Sequence, residues 1–192
     1  MMNLKNAEVI ATKLRDRLSP FCIKIEILGS IRRKKEQVGD IDILCIPKTE
    51  IEQVEVAPST LFEDAQYKPV SVRSKGFCSI LDEMEFITGK SNEAKAMNRK
   101  LWLDPGEQEE YNQGFIKVQV FTTTAYSWGY MSIIRTGSDK FNMRMLKRMK
   151  DLGYRAQEGN IWWGKRLIEV RTEEELFKKM HMEYVVPENR SI

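Results

Sequence analysis

Two short, alternating, β-prone segments, "FCIKIEIL" (21–28) and "DIDILCIP" (40–47), are joined by only eleven residues, "GSIRRKKEQVG" (29–39). This strand–connection–strand unit constrains the fold more than any other part of the chain. Gly29-Ser30 closes the first strand, and Ser30 is placed to cap a short helix through Arg32 and Arg33. Pro47 stops the second strand. Alternation puts Asp40 and Asp42 on one face of that strand and Ile41 and Ile43 on the other, in the core. Two like charges so close repel unless a cation lies between them, and carboxylate oxygens are the ligands Mg²⁺ prefers. Gly-Ser at a helix start offers free N–H groups and a hydroxyl to a phosphate, and Arg33 can add a bidentate contact. Metal, cradle and arginine within fourteen residues form one coherent site for a nucleoside triphosphate. An Asp-x-Asp pair alone is also compatible with solvated edge carboxylates, and the segment with a polar turn between strands. The full pattern, Gly-Ser ahead of Gly-Asp-x-Asp on strand–helix–strand, favours the triphosphate site.

The totals narrow the chemistry. At 192 residues the chain makes one ordinary domain or two small ones. With 42% hydrophobic and 31% charged residues it has the composition of a soluble globular protein. No apolar run approaches the ~20 residues of a membrane span, and "MMNLKNAEVIATKLRDRL" lacks the apolar core of a secretory signal. Cys22, Cys45 and Cys78 lie far apart among apolar neighbours, which reads as buried free thiols in a reducing compartment. His181 is the single histidine, so a His-based triad or His-rich metal site is excluded. Catalysis has to rest on carboxylates, a metal or cations. The net charge of +3 is unevenly spread: seven Lys/Arg fall between Met131 and Arg155, and Arg32–Lys35 form a second cluster. Such patches fit a locally bound polyanion or a solvated helix face.

Along the chain, apolar positions 4, 7, 10, 11, 14 and 18 have helical spacing, ended by Ser19-Pro20. Residues 50–76 read as an acidic stretch followed by helix or loop. "FCSILDEMEFITGK" reads as a hairpin turning near Asp82-Glu83, and "NEAKAMNRKLWL" as a short helix or a strand. "GFIKVQVFTT" alternates as a strand, Val118 and Val120 on one face, Lys117 and Gln119 on the other. After Thr124 the pattern changes. "WGYMSIIRTG" reads as a helix closing at Gly137. "SDKFNMRMLKRMKDLGY" reads as a basic amphipathic helix, capped by Ser138 or Asp139, stopped at Gly153, with Phe141, Met145, Leu146, Met149 and Leu152 apolar. "NIWWGKRLIEV" reads as a hairpin turning at Gly164-Lys165, "TEEELFKKM" as a Thr-capped helix, and "YVVPENR" as an extended tail.

"GSIRRKKEQVGDIDIL" resembles the palm motif of the DNA polymerase beta superfamily, specifically the X-family DNA polymerases. "RTGSDKFNMRM" resembles that family's thumb motif, and "EEELFKKMHMEYVVPENR" its C-terminal segment. The three motifs stand in the family's order and leave only about 47–110 uncovered. The short form resembles compact bacterial and phage polymerase-like proteins. The resemblance implies an α+β fold: a nucleotidyltransferase palm with a mixed β-sheet and flanking helices (1–125), then a small α+β thumb (126–192). It implies Asp40 and Asp42 as ligands of Mg²⁺ or Mn²⁺, and Gly29, Ser30, Arg33 and Gly39 as holders of the triphosphate. It implies Thr136, Gly137, Ser138, Asp139 and Asn142 against sugar and base. The same residues also suit plain structural work, Gly137 as a helix end and Asp139 as a cap. Lys140, Arg144, Lys147 and Arg148 are the expected contacts to DNA phosphates, with solvated surface as the alternative. Ile134 and Arg135 stand where the family often has aromatic residues near the sugar, which leaves discrimination of deoxyribose from ribose open. Trp162 and Trp163 can stack on a base or pack in the core; the methionines read as packing.

The family's third aspartate, on a neighbouring strand, completes the metal that activates the primer 3′-hydroxyl. The matching stretch here is "KVQVF", and the position holds Gln119. A carboxamide coordinates weakly, carries no charge and takes no proton. Gln119 is therefore compatible with a slow or inactive enzyme, with replacement by a nearby acid such as Glu83 or Glu85, or with an engineered trap; Asp104 and Glu110 are worse placed. The expected function is addition of a deoxynucleotide to a primer 3′-end in DNA repair, by a monomer acting on primer–template or gapped DNA and dNTP, away from membranes, in a bacterial or phage-infected cytoplasm. The alternatives are a catalytically impaired DNA- or nucleotide-binding module and a nucleotidyltransferase acting on RNA, a protein or a small molecule. About twenty-eight residues precede Gly29, too few for the family's lyase domain, so no deoxyribose-phosphate lyase activity is expected.

Overall fold

An amphipathic stripe and a polar cap start the structure. In the computed structural model, which describes residues 1–56, 66–82, 85–86, 97–102 and 115–191, strand β1 (Met2–Asn3) leads into helix α1 (Leu4–Leu18). The Asn3 side chain accepts from the Asn6 N–H at 2.9 Å, and Ala7, Ile10, Ala11, Leu14 and Leu18 form the buried stripe. A 3₁₀ turn, Ser19–Phe21, places Pro20 where its missing N–H costs nothing.

Next come β2 (Cys22–Ile27), the single-turn helix α2 (Gly29–Arg32), β3 (Gln37–Val38) and β4 (Asp40–Pro47). The strand–helix–strand unit forms as its sequence indicates, but Ser30 is not the cap. Leu28 holds the N-cap position without a side-chain bond, and Ser30 lies inside the turn. Within 50–76, expected as an acidic stretch followed by helix or loop, β5 (Thr49–Val56) and β6 (Gln66–Arg73) pair antiparallel in register from Thr49↔Arg73 to Val56↔Gln66, and residues 57–65 lie outside the described residues. The expected hairpin over 77–90 begins as a helix, α3 (Lys75–Asp82), whose Phe77 and Leu81 are buried one turn apart.

β7 (Glu85–Phe86), β8 (Met97–Trp102) and β9 (Phe115–Thr122) complete a five-stranded sheet in the order β2-β4-β9-β8-β7. β4 and β9 run parallel and the other pairs antiparallel, so the sheet is mixed. Then follow α4 (Trp128–Thr136) and α5 (Asp139–Asp151), a three-stranded meander of β10 (Tyr154–Gln157), β11 (Asn160–Trp163) and β12 (Arg166–Ile168), and α6 (Glu173–Lys179). Ser138, not Asp139, caps α5 by accepting from the Phe141 N–H at 3.2 Å. Gly153, at φ +80, lies just past the end of α5. Thr172 and Glu175 close a capping box on α6. The tail expected as extended winds into a 3₁₀ turn, Pro187–Arg190, and Arg190 is fully buried.

The sheet divides two cores. On one face Ile41, Ile43, Val118 and Val120 pack with α1, Phe77 and Leu81. On the other, Leu28, Leu44 and Phe121 pack with Trp128, Ile133, Phe141, Met145, Met149 and Phe177. Asp40 and Asp42 share the face of Leu44, so alternation along β4 aims both carboxylates toward the C-terminal half. Cys22 and Cys45 are buried free thiols as expected, whereas Cys78 is only half-buried. Trp163 is exposed and Trp162 half-buried, so neither tryptophan is a core residue, and Leu146 on α5 is also exposed.

Candidate active site

Gly29 fixes the geometry. Its φ of +63 lies in the left-handed region, and a Cβ built there would fall 2.0 Å from Asp42 Oδ2. Glycine satisfies both demands and lets α2 rest directly on the carboxylate. The Leu28 N–H donates to the Asp42 carbonyl at 2.8 Å and ties the end of the first strand to the second. Ser30 Oγ, one residue on, is buried with no protein partner. Gly39 stands exposed just before Asp40, with nothing within 4 Å of where its Cβ would lie.

The parallel pairing of β4 with β9 sets Asp40 beside Lys117 and Asp42 beside Gln119. Lys117 Nζ lies 3.4 Å from Asp40 Oδ2. Burial, then the Asp40 charge, pushes the Asp42 carboxyl up to about 7, against the pull of Arg135, Lys117 and Arg33. Two acids on one strand face, one of them held partly protonated by burial and by its neighbour, fit a hard divalent cation through their oxygens. Among the described residues no third acid, histidine or cysteine completes a group of three. Gln119 can offer a carboxamide oxygen. Glu83, Asp104, Glu110 and the Glu85 side chain lie outside what is described.

Arg33 does not simply point at this face. Its Nη1 donates to the carbonyls of Thr136 and, at 3.0 Å, Gly137, while its buried Nε has no partner. Burial lowers its pKa, with Asp42, Asp139 and Asp40 opposing. Arg32 donates through Nη1 to Thr136 Oγ1 at 2.7 Å and lies against Glu173. Glu173 also takes both guanidinium nitrogens of Arg190, at 3.1 and 2.7 Å, and the Tyr184 hydroxyl at 3.0 Å. Two successive arginines thus fasten the Gly-Ser turn to the Thr136–Gly137 turn. Asn142 supports the latter: its Nδ2 donates to the Ile134 carbonyl at 2.7 Å, and its buried Oδ1 has no partner. Asp139 is exposed on the first turn of α5.

Of the basic residues on α5, Lys140, Arg144 and Lys147 are exposed, whereas Arg148 donates from Nε to the Met180 carbonyl at 2.9 Å. That bond uses one of the donors of the half-buried Arg148.

Residues 132–191 match the family model described as DNA polymerase beta thumb. That match covers the C-terminal third of the chain. The whole fold agrees: Leishmania infantum polymerase beta in a ternary gap complex superposes with a TM-score of 0.71 at 19% identity, over 100% of this chain and 71% of that one. The same protein in a ternary P/T complex gives 0.68 at 19% identity, over 100% and 77%. No curated protein matches the sequence. In this polymerase beta-like fold the motif residues fall on two facing turns, the Gly29–Arg33 turn over Asp40 and Asp42 and the Thr136–Asn142 turn opposite. Arg32, Glu173, Tyr184 and Arg190 went unassigned from sequence. Their signals were present in the doubled arginine, the acidic first turn of α6 and the Pro-Glu-x-Arg tail. Nothing local paired residues 141 positions apart.

Proposed function

We propose that the chain is a template-directed nucleotidyltransferase that adds a deoxynucleotide to a primer 3′-end on gapped duplex DNA. It works as a monomer, with a palm over 1–125 and a thumb over 126–192, in repair inside the cell. The observation that carries this reading is the packing of Gly29 on Asp42, which lays a Gly-Ser phosphate cradle directly against the paired aspartates. Asp40 and Asp42 would hold Mg²⁺ or Mn²⁺, which supplies charge neutralisation on the transferring phosphoryl group. Ser30 Oγ, Arg33 Nε and Asn142 Oδ1, all buried without partners, are donors and an acceptor for triphosphate, sugar or base. Arg33 and Arg32 orient the Thr136–Gly137 turn that would meet the sugar. Exposed Lys140, Arg144 and Lys147 would neutralise DNA phosphates.

A second reading has its own observation. Gln119 stands in register beside Asp42, where the resemblance calls for an acid, and Lys117 already engages Asp40. That combination favours a DNA- or nucleotide-binding module with little turnover. Primer extension across a one-nucleotide gap, with Mg²⁺ or Mn²⁺, separates the two. Extension by the native chain, abolished in Asp42→Ala, is the expected result, with Gln119→Asp faster by one to two orders of magnitude. Extension by Gln119→Asp alone makes the native chain a binding module. If neither extends while both bind gapped DNA, the polymerase reading is wrong.

A further inference from the structure

A cavity of about 570 Å³ opens between the two halves, at the C-terminal ends of the parallel strands β4 and β9. It is not the aspartate site. Pro47 lines it, five residues along β4 from Asp42, or roughly 17 Å at the rise of a strand. Its volume falls within the range of about 300–1,000 Å³ that small-molecule sites occupy, and it sits between subdomains, where such sites favour.

The lining is divided. Ile46, Pro47 and Met131 make an apolar wall. Facing polar groups come from Thr122, Thr123 and Thr124 at the end of β9, and from two guanidiniums, Arg73 and Arg135. One carboxylate, Glu158, accompanies the two arginines, so the charge balance of the lining is positive. Arg73 is pinned by donation from Nη2 to Thr122 Oγ1 at 3.2 Å, which leaves its other donors available. Arg135 stacks its guanidinium 3.8 Å from the Phe121 ring centroid, and its buried Nε has no partner. A fixed pair of guanidiniums with a row of hydroxyls suits the oxygens of a phosphate. A cavity far larger than phosphate, with an apolar wall opposite, suits a flat body attached to it.

We propose that this cavity is a second ligand site, distinct from the aspartate site, that takes a free nucleoside monophosphate. The phosphate lies toward Arg73 and Arg135, and the base lies against Ile46, Pro47 and Met131. The proposal does not depend on polymerisation: Arg73 and the apolar wall lie apart from the Gly29–Asp42 turn, and only Arg135, whose charge also reaches Asp42, is shared by the two sites.

The test is calorimetric titration of the full chain with AMP in excess EDTA, which removes metal-assisted binding at the aspartates. Wild type is expected to bind, Arg73→Ala to lose at least tenfold in affinity, and Ala125→Trp, which fills the cavity without removing a charge, to lose as much. Ser30→Ala is expected to bind as wild type does, and unchanged thermal unfolding of Ala125→Trp guards against a folding artefact. Loss in Ser30→Ala with retention in Arg73→Ala assigns the nucleotide to the aspartate site and overturns the proposal. So does the absence of binding to wild type. Equal affinity for inorganic phosphate overturns the role of the apolar wall, and tighter binding of a 5′-phosphorylated oligonucleotide overturns the free-nucleotide assignment. Primer extension is measured alongside, so that failure of the cavity proposal and failure of the polymerase reading appear in separate assays.

Discussion

Gly29 and Asp42 set the terms at the scale of single residues. Gly29→Ala places a side chain at φ +63 and drives a Cβ into Asp42 Oδ2. The backbone conformation alone costs about 1–3 kcal/mol, so urea unfolding is expected to show at least that loss, together with weaker metal-dependent nucleotide binding. Asp42 has the opposite stability signature. Its folded carboxyl titrates near 7 against an ordinary value of 3.8, because burial and Asp40 disfavour the charge. Below about pH 4 both folded and unfolded chains are protonated there, and the site costs nothing. Between pH 4 and 7 the unfolded chain ionises while the folded chain holds its proton, so the penalty grows as pH rises and levels off above 7. Asp42→Asn in EDTA is therefore expected to be the more stable protein at pH 8, by up to about 4 kcal/mol, and equal to wild type near pH 4. Melting curves at the two pH values check this. Both residues were legible in the sequence, since glycine, serine and alternating aspartates each state a local requirement. The donation from Arg33 to the Thr136 and Gly137 carbonyls was not legible, because those acceptors are backbone atoms more than a hundred positions away.

Among elements, the single turn α2 and the short helix α6 depend on each other. Arg32 leaves α2, Arg190 leaves the C-terminal 3₁₀ turn, and Glu173 at the start of α6 is buried between them. Burial raises the Glu173 pKa, but the hydrogen bonds from Arg190 and Arg32 outweigh it and leave the carboxyl below its usual value. The carboxylate therefore stabilises the fold at neutral pH, and that contribution is lost as pH falls through its lowered pKa. Glu173→Gln leaves two guanidiniums without their counter-charge; a loss of about 3–5 kcal/mol is expected from chemical denaturation. Element prediction failed where segments were short or ambiguous. The eight residues of α3 span just over two turns, too few to separate helical from alternating spacing. The β5–β6 hairpin was obscured by acidic residues and by Pro69, which a hairpin outside the main sheet tolerates. Helices α1 and α5, with longer stripes and clear caps, were read correctly.

On the scale of the whole molecule, the sheet is shared property. Leu44 and Phe121 lie on its strands and Leu28 just past the end of β2, yet all three pack in the core of α4, α5 and α6. The thumb family match over 132–191 begins after all three. A fragment of residues 126–192 is accordingly expected to lack a cooperative unfolding transition, while the full chain unfolds in one; circular dichroism and calorimetry distinguish the two. The α+β architecture was legible because three separated motifs agreed on it. The cavity between the halves was not, because its walls come from strand ends, a hairpin and a helix that no sequence pattern joins.

Strand β4 also bears on which genetic changes the chain tolerates. Ile41 and Ile43 lie in one core while Asp40, Asp42 and Leu44 face the other side. Losing or gaining a single codon inside this strand would turn acids into the hydrophobic core and isoleucines onto the acid face in one step. The same change among exposed Lys34–Glu36, between α2 and β3, would alter only a connection. Insertions and deletions in a lineage of such chains should therefore collect in that loop and be absent from 40–44. Substitutions in the strand should alternate between conservative apolar exchange and none at all.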